Sequence, residues 1–442
     1  MKEVAMSTFL KNKWSSFKAD TRGNFAMMTA VALPIAAFTI GSAVDLANFR
    51  VASHATQTAV DSASLAASRA ITVEDATLAE ATEIARQQLA LNISNVSFVK
   101  QQEIEDSLRV EQDVTTGTVT ATADVQTPTL FAAIFGYENI STTVSSTNQV
   151  QSLEISFVLD NTGSMSRSIN GNSNNNERIN ALREAMENAI DLLLPVGRVN
   201  DNRVRASIVP YSDGVNLGEF YQAAVGPDAP DRGSNCVTER EGVNALSDLE
   251  PNIDEDNTLY ETDIALTSDR CVGATLLPLT GDRDDLLESV DNLETRGFTA
   301  GHNGITWGIN TLSGNWQSFW PEEAQPAQYL TSNVRKILVV MTDGQFNTSY
   351  FDEHVATGDN RNTSDSVDSS NTLTREFCDL AKEASRGVIV YTVTLGSDEA
   401  AQSLMAECAT SPATALVATS AEELNEAFER IVIEARTAVL TN

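Results

Sequence analysis

The chain has 442 residues, 42% hydrophobic and 20% charged, a composition that excludes a disordered polymer and leaves room for two or three folding units. Its 61 Asp and Glu outnumber 29 Lys and Arg; the formal charge of -32 repels phosphates and argues against nucleic-acid binding. Four cysteines without a C-x-x-C pair, and three histidines, argue against a structural zinc site.

Residues 1–24 carry Lys2, Lys11, Lys13, Lys18 and Arg22. Residues 25–44 then read FAMMTAVALPIAAFTIGSAV, without a charge; as a helix at ~1.5 Å per residue this covers about 30 Å of hydrocarbon. The basic flank predicts a cytoplasmic N-terminus, with everything after Asp45 across the membrane. Cleavage as a signal peptide is the competing reading, but the apolar stretch exceeds a usual signal core and no small-x-small site marks its polar border. On the far side the even cysteine count reads as two disulfides, most simply Cys236 with Cys271 and Cys378 with Cys408, although three pairings are open and a cytosolic chain would keep free thiols.

Alanine-rich residues 51–71 continue the helix outward as a stalk spanning 45–93, with Val60, Leu65 and Ala66 on one face and a second helix over 75–91. Residues 94–150 switch to alternating β-formers at 108–114, 117–125 and 140–150, a small α+β unit with a hairpin turn at Thr115 to Gly117 and no chemical motif.

From 151 to 442 the pattern is that of an α/β domain. Ile155 to Leu159 is a buried-strand run ending in Asp160 and the loop NTGSMS, with a helix from Arg178 to Leu194. Further strands are predicted at 204–209 and 388–395, and helices at 282–293, 374–385 and 422–435. A second strand, KILVVM, ends in Thr342, Asp343 and Gly344, and the loop Gly297, Phe298, Thr299 precedes a helix over 303–312. Ligands collect at the carboxyl ends of such strands. Asp160, Thr162, Ser164, Thr299 and Asp343 offer hard oxygens suited to Mg²⁺, or to Mn²⁺ or Ca²⁺. Asp-x-Thr-x-Ser alone reads equally well as a helix-capping loop. The acidic segment 211–275 is an insertion, read either as a solvated loop or as a partner-contacting lobe, and the polar loops 168–176 and 358–371 are expected to rim the site.

DNTGSMS, GFT and VVMTDG, in this order, resemble the three parts of the metal-ion-dependent adhesion site of von Willebrand factor A domains, with Thr162 replacing the commoner serine. The flanking RGNFAMMTAVALPIAAFTIGSAVDL and QTAVDSASLAASRA resemble TadG-like proteins of the tight-adherence (Flp) pilus assembly system; Met28 stands where a processed pseudopilin would carry Glu, which argues against peptidase maturation. The resemblance implies a doubly wound, Rossmann-like fold. It also implies a single-pass inner-membrane protein whose main domain, periplasmic or at the cell surface, binds pilus-assembly partners, with a partner's acidic side chain on the metal. A scaffold whose metal site only stiffens loops is the alternative. A hydrolase finds little support: no G-x-S-x-G elbow, P-loop, H-E-x-x-H or dinucleotide glycine pattern is present, and His302 is the best would-be base.

Overall fold

The structure, a computed structural model, describes residues 22–73, 76–94, 99–113, 117–149, 152–196, 203–227, 229, 233–252, 258–260, 270–352 and 355–437. They fall into two compact units, Met1–Gln149 and Val150–Asn442.

In the first unit, α1 (Arg22–Val73) runs unbroken through Pro34. Only 6% of its most apolar stretch is buried, unlike a core helix of a globular interior. Further along, Ala52, Thr56, Ala59, Val60, Ala63 and Ala67 form a fully buried stripe at helical spacing. α2 (Leu78–Ile93) packs on α1 and begins with a reciprocal cap between Thr77 and Glu80. After α3 (Gln101–Ser107), an antiparallel sheet of β1 (Arg109–Asp113), β2 (Thr118–Pro128) and β3 (Asn139–Gln149) covers the α1 stripe. Val119, Ala121, Ala123 and Val125 of β2 point inward by the period of two. Small side chains let the backbones approach closely enough for Ser64 Oγ to donate to the Val119 carbonyl at 3.2 Å.

Two expectations are corrected here. The stalk (45–93) and the β-rich unit (94–150) are one packed body, because the alanine stripe is a sheet-binding surface. Nor do Val60 and Leu65 share one face as expected: Val60 is buried in the stripe and Leu65 is 52% exposed, since mainly small residues meet the sheet. Of the expected turn at Thr115 to Gly117, only Gly117 lies among the described residues, at φ 63°.

The second unit is built on β4 (Ser152–Asp160), α4 (Glu177–Leu193), β5 (Val204–Tyr211), the short β6 (Val215–Asn216) and β7 (Cys236–Val237), β8 (Leu277–Thr280), α5 (Arg283–Asp291) and α6 (Gly301–Leu312). There follow β9 (Val334–Thr342), the hairpin β10 (Thr348–Asp352) and β11 (Val355–Arg361), α7 (Ser364–Lys382), β12 (Ile389–Leu395), α8 (Glu399–Cys408), β13 (Ala415–Ala418) and α9 (Ala421–Thr437). The main sheet has the order β13-β12-β9-β4-β5-β6-β7; β13 through β5 are parallel, and β8 pairs antiparallel with β5.

Alternate β4 side chains serve opposite layers. Leu153, Ile155, Phe157 and Leu159 join α4, α5 and α9 in one core, while Val158 joins α6 and α7 in the other. This is the doubly wound α/β arrangement the sequence predicts. Every residue of α6 is buried, and its glycines allow the fit: a Cβ on Gly308 would fall 2.5 Å from Val158 Cγ2 and 2.6 Å from Leu338 Cδ1. The stretch 358–371, read as a polar loop, is instead the end of β11 and the first turns of α7, which starts well before residue 374. Thr363 and Ser366 cap it reciprocally, so serine-rich residues that look loop-forming are satisfied at a helix start.

Candidate metal centre

The chain leaves β4 for β5 on one side and later returns to β9 on the other. The switch point therefore lies between β4 and β9, and ligands of such sheets bind beyond the carboxyl ends of the strands there. Asp160 ends β4, Thr342 ends β9, and Asp343 follows it. Asp160 is fully buried. Its Oδ1 accepts from the Thr162 N–H at 2.9 Å and the Thr162 hydroxyl at 2.6 Å; its Oδ2 accepts from the Thr342 hydroxyl at 2.9 Å and the Tyr211 hydroxyl at 3.2 Å.

The sequence-predicted residues Asp160, Thr162, Ser164 and Asp343 form one chain of short contacts. Thr162 Oγ1 donates to Asp160 at 2.6 Å, Ser164 Oγ donates to Asp343 Oδ1 at 2.7 Å, and the two hydroxyl oxygens lie 2.7 Å apart. Each hydroxyl owns one hydrogen, and both are committed to carboxylates. With both carboxylates ionised, the three contacts have only two hydroxyl hydrogens between them, a shortfall that a proton on a carboxylate or a bound cation would relieve. Burial, reinforced by the charge of Asp343, pushes the Asp160 carboxyl up to about 7, against the pull of its Thr162 and Thr342 hydrogen bonds. Burial beside Asp160 also pushes the Tyr211 phenol well up.

Thr299 enters differently. Its loop is tied to the first one by the Gly163 N–H, which donates to the Gly297 carbonyl at 3.0 Å, and the Thr299 N–H donates to Asn347 Oδ1 at 3.0 Å. Among the described residues its hydroxyl makes no hydrogen bond to the other four. The loop is seated by Asp213, whose Oδ2 accepts from the Phe298 N–H at 2.7 Å and whose Oδ1 faces Arg270 Nη2 at 3.1 Å and the Tyr350 hydroxyl at 3.2 Å.

Arg178, in the first turn of α4, closes the far side. Its Nη1 donates to Asp343 Oδ2 at 2.7 Å, while Nε and Nη2 hold the carbonyls of Ser168 and Ile169 at 3.0 and 3.2 Å. It neutralises one carboxylate and fixes the rim loop, leaving Asp343 Oδ1 turned toward the hydroxyls. The sequence reading missed Arg178, Asp213 and Tyr211. Asp213 carried a usable signal, a carboxylate just past the end of β5; Arg178 and Tyr211 carried none.

The donor set fits a hard divalent cation: two carboxylates and clustered hydroxyls, all oxygen. No group of three or more His, Cys, Asp or Glu that could hold a metal converges among the described residues, so such an ion would depend on hydroxyl, carbonyl and water oxygens as well. His302 is not a free base. It is buried, with Nδ1 2.8 Å from Ser370 Oγ and Nε2 2.6 Å from Glu239 Oε1. Both expected disulfides are present, Cys236–Cys271 tying the insertion and Cys378–Cys408 joining α7 to α8, with Cα–Cα distances of 5.7 and 5.1 Å.

Residues 23–70 match the Tad family model, described as Flp pilus-assembly TadE/G-like. Among curated proteins none matches the sequence. Among solved structures, the chain is similar to the pilus adhesin SpaC from Lactobacillus rhamnosus GG at 13% identity and a TM-score of 0.41, covering 75% of this chain and 34% of that one. It thus spans about a third of the length of that adhesin. It is also similar to the PilB minor pilin from Streptococcus sanguinis at 12% identity and a TM-score of 0.36, covering 75% and 78% of the two chains. The vWF domain of the type V pili tip protein Mfa5 from Porphyromonas gingivalis aligns at 13% identity and a TM-score of 0.38, covering 64% and 94%. Residues 23–70 are thus similar to the Flp pilus-assembly TadE/G-like family, and the second unit is a doubly wound α/β domain.

Proposed function

We propose that this is a membrane-anchored protein of pilus assembly or adhesion that binds a protein partner through a divalent cation, Mg²⁺ in the first instance. Asp160, Asp343, Thr162 and Ser164 would hold the ion, with Thr299 on the adjoining loop. The observation that supports the reading is the convergence of two carboxylates and two hydroxyls in the chain from Asp160 to Asp343. When bound, the cation supplies an electrophilic centre for a carboxylate of the partner. The chain's own residues do the rest: Arg178 keeps one Asp343 oxygen occupied, and Asp213 holds the Phe298 backbone in place. Arg270 and Arg361 lie beside Asp213, a cationic neighbourhood in an otherwise acidic protein that favours approach of an acidic group. Binding rather than catalysis is favoured because Ser164 is engaged with Asp343 and His302 with Ser370 and Glu239, which leaves no activated nucleophile among them. The anchor is α1, with the second unit on the extracytoplasmic side and the membrane being the bacterial inner membrane.

The test is Mn²⁺ binding by the full chain, read by electron paramagnetic resonance, followed by pull-down of pilus components with Mg²⁺ or EDTA. Asp160→Ala and Asp343→Ala are expected to abolish Mn²⁺ binding and the Mg²⁺-dependent capture. Equal Mn²⁺ binding by wild type and Asp160→Ala would sink the metal site. Mn²⁺ binding without any metal dependence of capture would favour the scaffold reading.

A further inference from the structure

The connection between β2 and β3 reads TLFAAIFGY from Thr129 to Tyr137, nine residues without a charge. Its apolar side chains face outward: Ile134 is 76% exposed and Tyr137 69%, with Leu130 and Phe135 also open. A water-facing turn of this composition would be an aggregation liability. This one lies against the apolar half of α1. The Phe135 and Phe38 rings meet edge-on with centroids 4.5 Å apart, and the Phe131 ring is so close to Gly41 that a Cβ there would fall 2.3 Å from it. Asp45, the first charged residue after the apolar run, is buried and turned into the loop, its carboxylate accepting from the N–H groups of Leu130, Phe131 and Ala132 at 2.8–2.9 Å.

We infer that Leu130 to Tyr137 is a second membrane contact, a short apolar loop seated in the lipid of the leaflet where α1 emerges. The inference rests on reading α1 as the membrane anchor. Continuity with the apolar surface of α1 names lipid as the occupant. From Asp45 back to Phe38 is seven residues, about 10 Å along a helix, so Phe135 lies at the depth at which interfacial segments bury their apolar faces. The backbone is prepared for a medium without water. Besides the three amides capped by Asp45, those of Ile134, Gly136 and Tyr137 donate to carbonyls within the loop, and the Thr129 N–H donates to Glu138. Tyr137 and the charged Glu138 follow at the polar border, where aromatic rings with a polar end are favoured. Asp45 thus has a double part: it ends the span and clips the loop to it.

The four native cysteines are all disulfide-bonded, so a single introduced cysteine can carry a nitrobenzoxadiazole label. The full chain is reconstituted in phosphatidylcholine–phosphatidylglycerol liposomes with the label at Ile134→Cys, at Val31→Cys in the span, or at the exposed Val243→Cys. The label at 134 is expected to be shielded from aqueous iodide several-fold relative to 243, and quenched by lipids bearing a nitroxide near the headgroup. Iodide access at 134 equal to that at 243, with 31 shielded, overturns the loop's insertion while leaving the anchor intact. Access at both 31 and 134 overturns the anchor and this inference with it. Shielding at 134 without nitroxide quenching means a protein surface covers the loop, which also overturns it. Gly41→Val should raise iodide access at 134 and leave 31 unchanged; no change at 134 would refute the seating on α1.

Discussion

Substituting Gly297 tests whether the second loop is held as rigidly as its contacts indicate. Gly297 adopts φ 73°, and a Cβ there would fall 2.1 Å from Asp213 Oδ2 and 3.1 Å from the Arg270 carbonyl. The left-handed backbone costs a non-glycine residue roughly 1–2 kcal/mol, and displacing a packed side chain adds about 1–3 kcal/mol. Asp213 cannot yield without loosening its bonds to Phe298, Arg270 and Tyr350. Gly297→Ala should therefore destabilise the second unit by roughly 2–5 kcal/mol. Urea unfolding followed by tryptophan fluorescence reads this unit selectively in a Trp14→Phe background, because Trp307, Trp316 and Trp320 are all buried in it. Asp213→Ala removes the clashing atoms, so the double variant should be less destabilised than the sum of the singles by more than about 1 kcal/mol. A loss below about 1 kcal/mol in Gly297→Ala, or strict additivity with Asp213→Ala, would show that the clash is relieved elsewhere and refute the reasoning.

Without divalent cations the fold should weaken as the pH rises. The Asp160 carboxyl is pushed up from its ordinary value near 4 to about 7, so between these values the folded state holds a proton that the unfolded state has lost. The stability lost across that window is at most roughly 4 kcal/mol; thermal melts in EDTA from pH 5 to 8 should show a falling Tm, with Mg²⁺ or Asp160→Asn flattening the trend. Glu154→Ala would leave Lys336 and Arg205 without their shared buried carboxylate and the Ala327 N–H without its acceptor, costing about 3–5 kcal/mol in the same urea assay. Gly308→Ala should cost about 1–3 kcal/mol by pushing α6 off Val158 and Leu338. Replacing Cys378 and Cys408 together by Ser should cost about 3–4 kcal/mol, seen as a lower urea midpoint, because the bridge closes a loop with a sequence separation of 30.

The strands of the second unit were legible because parallel strands buried on both faces are written as apolar runs, and ISFVLD and KILVVMTD each place their acid where the run stops. Four of the five candidate site residues follow from that rule and the spacing in Asp-x-Thr-x-Ser. Arg178 was not legible as a site residue, because its pairing with Asp343 spans 165 positions and nothing local to α4 announces it. The grouping of Val60 with Leu65 on one face of α1 was misjudged because hydrophobic periodicity weighs size, whereas close helix-on-sheet packing selects alanine and serine. The loop at Leu130 to Tyr137 escaped notice because its apolar residues lack any repeat; its meaning depends on Phe38, Gly41 and Asp45 nearly ninety residues away.

The unbroken course of α1 has a mechanical outcome. Its 52 residues make a rod of about 78 Å at ~1.5 Å per residue, with no glycine-rich joint between the apolar half and the half gripped by the sheet. With α1 as the proposed anchor, a pull on the first unit would be delivered to the bilayer as tilt or torque of one lever rather than dissipated in a slack tether.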